Sequence, residues 1–279
     1  MSPLAFPEQP ALATKLKSLH KPGDPVVLTN VHDPPTAALL LSQSTLPKAV
    51  ATPSYAIAAI NGLEDDELTF DLNLRSIELV AGTLRKKGYH LQIPLTADLQ
   101  NGYGSSLESV ISESIAAGVV GCNLEDAYHP DGNIQTPTDL YPIEEQCSRI
   151  RRVLSVAQQA GVPDFCVNAR TDALYIDRSL EEAIERGKAY LEAGATSVFV
   201  WGGPKRGVSR EEVVRLVEAF EGRLNVKMNC VEDGGLQKEE LAKIGVSRIS
   251  LGPTLWRVGM AAIGKTVEGL AVDGVLRRL

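Results

Sequence analysis

Thr96-Ala97-Asp98-Leu99-Gln100-Asn101-Gly102-Tyr103-Gly104 decides how this chain is read. An apolar run from Leu91 to Leu95 leads into it and stops at one carboxylate and a Gly-aromatic-Gly turn. A strand that ends this way sets its carboxylate at the C-terminal edge of a parallel sheet, where ligands bind in such folds. Two later runs end alike. Val119–Leu124 stops at Glu125-Asp126, and Phe165–Ala169 stops at Arg170-Thr171-Asp172. Acids and a guanidinium on successive strand ends suit a hard cation and an anionic ligand.

Working outward, the chain alternates regularly. Strands are expected at Val26–Asn30, Ala49–Thr52, Leu91–Ala97, Val119–Leu124, Phe165–Ala169, Ser197–Trp201, Leu224–Met228 and Arg248–Leu251. They are short, apolar and rich in β-branched residues, as strands covered on both faces should be. Amphipathic periodicity predicts helices at Glu67–Gly88, Ser106–Ala117, Ile143–Ala160, Leu180–Ala193, Arg210–Phe220 and Gln237–Ile244. Eight β/α units in about 250 residues match one (β/α)8 barrel of TIM type. A doubly wound open sheet fits less well, since no GxGxxG follows the first strand. Gln9–His20 reads as an extra helix before strand one, stopped by Pro22-Gly23. No linker or compositional break divides residues 1–279, so one domain is expected, with the helix from Leu255 onward available for oligomer contacts.

The composition narrows the class. With 44% hydrophobic residues the chain can bury a large core, and a net charge of −7 leaves no electrostatic footprint for nucleic acid. An anionic substrate must then be held locally, by a metal, by Arg170 or by backbone N–H groups. The four cysteines, Cys122, Cys147, Cys166 and Cys230, form no CxxC pair, so neither a zinc site nor a disulfide framework is indicated. The N-terminal stretch has no charged and apolar regions of a signal peptide. No apolar run approaches the roughly 18 residues that span a bilayer. A cytoplasmic protein with no membrane partner is expected.

Five marks lie in order at strand ends or the turns that follow them. They are Gly62-Leu63-Glu64-Asp65, Asp98-x-x-x-Gly102-Tyr103-Gly104, Leu124-Glu125-Asp126, Asn168-Ala169-Arg170-Thr171-Asp172-Ala173 and Arg248-Ile249-Ser250-Leu251-Gly252-Pro253. Together they resemble the isocitrate lyase/phosphoenolpyruvate mutase superfamily over roughly residues 25–260. The resemblance implies a (β/α)8 barrel, a homodimer or homotetramer with an exchanged eighth helix, and Mg2+, with Mn2+ as a substitute. It also implies an α-keto or α-hydroxy carboxylate substrate and chemistry through an enolate. Asp98 resembles the direct metal ligand, while Glu125 and Asp65 resemble carboxylates that hold metal waters. Gln100 stands where a further Asp is common, and it keeps a hydrogen-bonding role at lower charge. Arg170 resembles the substrate clamp, and Ser54 and Tyr55 occupy the place of backbone donors to the substrate carboxylate. The catalytic candidates are Arg170, Tyr55 and His129. The substrate-binding candidates add Ser54, Gly102, Tyr103, Trp201 and Asn229. Asp126 is expected to brace the barrel rim, and Arg170 could instead be a structural partner of Asp172 or Glu125.

The departures sort the reactions. The loop Ala127–Pro137 holds no cysteine to act as the lyase acid, Ala127 replaces the mutase lysine, and Trp201 replaces the mutase histidine. His129 is the only histidine in that loop, which reads as a lid. The expected function is decarboxylation or carbon–carbon cleavage of a small oxaloacetate-like dicarboxylate. The alternatives are a substituted-malate or methylisocitrate lyase, and a non-catalytic dicarboxylate-binding or scaffold protein.

Overall fold

The computed structural model describes residues 6–128 and 139–275. Eight parallel strands close into a barrel: β1 (Val26–Asn30), β2 (Ala49–Ala51), β3 (Leu95–Asp98), β4 (Gly121–Glu125), β7 (Cys166–Thr171), β8 (Ser197–Val200), β9 (Leu224–Lys227) and β10 (Arg248–Ser250). β10 pairs back onto β1 with Val26 beside Arg248. A small antiparallel pair, β5 (Ala127–Tyr128) and β6 (Asp139–Leu140), sits at the rim after β4.

Helices wrap the barrel as the periodicity predicts. They include α4 (Phe70–Lys86), α5 (Leu107–Ala117), α6 (Ile143–Gln159), α7 (Leu180–Glu192), α9 (Arg210–Ala219) and α10 (Lys238–Ile244). Their apolar faces and the strands form one core, with Leu28, Ile77, Ile111, Ile150, Tyr190 and Phe220 fully buried. The N-terminal helix α1 (Gln9–Leu19) adds Leu12 and Leu16 to it. Gln9 is tied to the barrel's outer layer by amide hydrogen bonds to the carbonyls of Ile115 and Val119.

The third strand begins at Leu95, later than the apolar run suggested. Leu91 is 61% exposed, and the N–H groups of Gln92 and Ile93 both return to the Tyr89 carbonyl in a turn. Pro94 then lacks a ladder donor. Three short helices were not expected from the sequence: α2 (Pro34–Leu41), α3 (Ser54–Ile60) and α8 (Gly203–Arg206). The last helix, α11 (Thr254–Asp273), leaves Val258, Met260, Ile263, Val267 and Leu270 exposed. Among the described residues no helix is long and apolar enough to cross a membrane.

Candidate active site

The C-terminal ends of the strands open into a cavity of about 1580 Å3. Asp65, Asp98, Gln100, Glu125, Arg170, Ser54, Tyr55, Tyr103, Trp201 and Asn229 all line it. Gly102 does not. It sits beneath the rim, where a Cβ would come within 2.6 Å of Leu107 and 3.2 Å of Leu124 and Arg149. Its φ of +80° shapes the turn after β3, so the structure places this expected substrate contact in the turn and off the cavity wall. His129 lies outside the described residues, as does most of the expected lid.

Asp98 ends β3, and donors from both flanks fix its carboxylate. Ser54 donates its N–H and hydroxyl to Oδ2 at 3.3 and 3.1 Å. Asn123 of β4 donates to Oδ1 at 3.0 Å. Register places Asp98, Asn123, Asn168 and Ser197 side by side on four adjacent strands. Their side chains form a directed chain: Ser197 hydroxyl to Asn168 at 2.6 Å, Asn168 to Asn123 at 2.8 Å, then Asn123 to Asp98. Each buried amide is thereby partnered, and the last donor aims at the carboxylate. Asn168 opens one of the sequence marks, but neither it nor Asn123 nor Ser197 was expected to act at the site, although an asparagine inside an apolar strand is itself a signal.

Asp65 reaches the site from the 3-10 turn Asp65–Glu67 that follows α3. Gln100 donates its amide to the Asp65 carbonyl at 2.6 Å and to its carboxylate at 3.3 Å. Gln100 itself has φ +48°, which turns its side chain back toward Asp65. Burial first, and the Asp98 charge second, push the Asp65 carboxyl up to about 6.

Arg170 is held on two sides. Nε and Nη2 grip Asp172 at 2.6 and 2.8 Å, and Nη1 meets Glu125 at 2.8 Å. Burial works against its charge, but Asp172 and Glu125 outweigh that and raise it above the ordinary guanidinium value. Glu125 shifts upward too, from burial and from the nearby carboxylates, against the pull of Arg170. The face of Trp201 lies 5.5 Å from the guanidinium. Beneath this group, Asp126 is fully buried and braces the rim. It accepts the Asp172 N–H at 2.9 Å and the Tyr190 hydroxyl at 2.6 Å, with Arg186 at 3.5 Å.

Tyr55 and Tyr103 play different parts from each other. The Tyr103 hydroxyl accepts from Asn73 at 2.8 Å, its ring packs on Phe70, and burial raises its proton affinity. Tyr55 lies edge-on to Trp256, with Arg257 4.9 Å from its ring centre. Asn229 accepts a hydrogen bond from Lys227, the last residue of β9.

The donor set bears on a metal. Asp65, Asp98, Glu125 and Asp172 gather around the single guanidinium of Arg170, so the wall carries excess negative charge. Among the described residues no three acidic, imidazole or thiol groups stand close enough to enclose a metal directly. The carboxylates on this wall are compatible with a hard cation that takes one or two of them and keeps its waters, as Mg2+ does. Asp98 would be the carboxylate to hold it, and Asp65, Glu125 and Gln100 line the same cavity.

A closed parallel barrel whose functional groups sit on the C-terminal rim defines the class, a (β/α)8 protein with a carboxylate-lined mouth. The family model described as phosphoenolpyruvate phosphomutase matches residues 16–271, and the chain belongs to that family. It is 27% identical over 218 residues to "Probable 2-methylisocitrate lyase 2" of Corynebacterium glutamicum, covering 74% of this chain and 66% of that one. It is 31% identical over 134 residues to the oxaloacetate decarboxylase of Rhodopseudomonas palustris, covering 47% and 45%. The chain thus spans about two thirds or less of these curated relatives. The crystal structure of phosphoenolpyruvate phosphomutase from Streptomyces platensis superposes with a TM-score of 0.77 at 26% identity, covering 94% of this chain and 88% of that one.

Proposed function

We propose that this chain is a divalent-metal-dependent enzyme that breaks a carbon–carbon bond next to the carbonyl of a small dicarboxylate, with oxaloacetate-type decarboxylation as its main reaction. The observation that carries this reading is the rim pair of Asp98, held by Asn123 and Ser54, and Arg170, held by Glu125 and Asp172, lining one cavity. Cleavage beside a carbonyl leaves an enolate, and its developing charge needs fixed positive partners. A bound Mg2+, or Mn2+ in its place, would supply most of that charge. Arg170, which keeps N–H groups beyond those given to Asp172 and Glu125, orients the substrate carboxylate. Trp201 and Tyr55 shape the walls and limit water.

Decarboxylation makes the smallest demand on a proton donor. A lyase must protonate its leaving carbanion, and the loop after β4 offers no cysteine for that. After CO2 leaves, solvent can protonate the remaining enolate. The likeness to an oxaloacetate decarboxylase supports this choice, while the likeness to a methylisocitrate lyase supports the second reading, cleavage of a substituted malate or methylisocitrate.

Three substrates assayed side by side with Mg2+ decide it. CO2 release from oxaloacetate should exceed cleavage of 2-methylisocitrate, with no turnover of phosphonopyruvate. Efficient methylisocitrate cleavage would establish the second reading. No turnover of any would leave a dicarboxylate-binding protein.

The chain works as a homodimer or homotetramer. The exposed apolar side chains of α11 support this, since a neighbouring copy would bury them. Light scattering at micromolar concentration should give two or four copies, and a monomer would refute it.

A further inference from the structure

Asp98 and Lys227 end strands that stand four apart in the closed order β3, β4, β7, β8, β9, the largest separation an eight-stranded barrel allows. The two walls differ in charge. The Asp98 side gathers carboxylates, and the Lys227 side gathers cations. Lys227 Nζ lies 6.0 Å from the Trp201 ring centre, and Arg170 lies 5.5 Å from the same ring. Arg257, on α11, carries the cationic side round to Tyr55. Among the described residues neither Lys227 nor Arg257 forms an ion pair, and the Lys227 ammonium donates to a neutral acceptor, Asn229.

The local sequence builds a seat for this lysine. Asn225 and Lys227 are two apart on β9, and both line the cavity. The stem of Lys227 lies along Gly252, in the turn after β10. A Cβ there would come within 3.2 Å of its Cε, so a side chain at 252 would displace it. A half-buried ammonium that makes no ion pair is unfavourable unless something pairs with it. Burial, and then the Arg257 charge, hold Lys227 below its ordinary lysine value, against the weaker pull of the Asp233 carboxylate, which lines the same cavity without forming an ion pair with it.

We propose that Lys227, with Arg257 beside it, forms a second anion subsite that takes the distal carboxylate of the substrate and so selects diacids over monoacids. This rests on the reading of the Asp98–Arg170 wall as the place where the α-keto or α-hydroxy acid end binds. A four-carbon diacid would then lie across the mouth, anchored at both ends. Lys227 is a specificity-determining residue here and holds no role in the bond cleavage.

Calorimetry with malate and lactate in Mg2+ buffer tests it, because these 2-hydroxy acids differ by one carboxylate. The wild type should prefer malate by tenfold or more. In Lys227→Met that preference should fall below threefold with lactate affinity unchanged, and Lys227→Arg should restore it. Lys227→Gln, read against its thermal melt, serves where the Met variant does not fold. A preference retained without the cation, or no preference in the wild type, overturns the subsite while leaving the proposed function standing. A wild type that binds neither acid overturns both.

Discussion

Arg170 and Asp172, two residues apart at the end of β7, are joined by two parallel hydrogen bonds, Nε to Oδ1 at 2.6 Å and Nη2 to Oδ2 at 2.8 Å. The same guanidinium reaches Glu125 through Nη1. A lysine would keep the charge but could not bridge both acids from one planar group. Arg170→Lys should therefore lower turnover on the order of tenfold or more, a cost of about 1.4 kcal/mol per decade. It should also lower the melting temperature, because two buried acids lose directed donors. Steady-state kinetics beside a thermal melt separate the effects. Wild-type turnover with a lowered melt would assign Arg170 to structure alone.

Asp98 is the carboxylate on which Ser54 and Asn123 converge. It lies on the rim, where residues serve function more than packing. Asp98→Ala should abolish Mg2+-dependent ligand binding with the circular dichroism of the fold unchanged. Titration calorimetry reads this directly, and an unaltered Mg2+ affinity would remove Asp98 from the metal site.

Gln100 offers a test in the opposite direction. Its amide now donates to Asp65. Gln100→Asp would exchange that donor for a carboxylate facing another carboxylate. Without metal the variant should melt lower than the wild type. With Mg2+ its rise in melting temperature should be the larger, since a ligand that binds only the folded state stabilises in proportion to its occupancy. Equal Mg2+ responses in the two proteins would show that position 100 does not face the ion.

The barrel was legible because buried parallel strands read as short apolar runs and the helices between them as amphipathic ones. The six clear helices begin and end within about three residues of the expected bounds. Short elements escaped: α3 offers only seven residues, too few to show a period. At the site, residues whose charge interrupts a strand end were found, as Asp98, Glu125 and Arg170 were. Asn123, Asn168 and Ser197 were not, because their role depends on register across four strands, and no single stretch of sequence carries register. Lys227 was missed for a related reason. Its setting comes from Trp201, Arg257 and Gly252, which lie on three other segments. Gly102 was expected on the cavity wall and lies in the turn instead, since a glycine beside a ligand and a glycine in a tight turn look alike in sequence.

Asp126 yields a prediction about pH. Burial first, and then the Asp172 charge, push its carboxyl from 3.8 up to about 6, against the hydrogen bond from Tyr190. A folded-state value above the unfolded one means that the fold prefers the protonated form. Stability from this group is whole below pH 3.8 and is lost as pH rises through about 6. Asp126→Asn removes the titration while keeping an acceptor for the Asp172 N–H and a donor for the Tyr190 oxygen. Urea melts of both proteins at pH 4.5, 5.5, 6.5 and 7.5 should show the wild type losing stability relative to the variant up to about pH 7, with the gap constant beyond. Parallel profiles across that range would mean that Asp126 is already ionised in the fold at low pH, held by Arg186 more strongly than its 3.5 Å separation suggests.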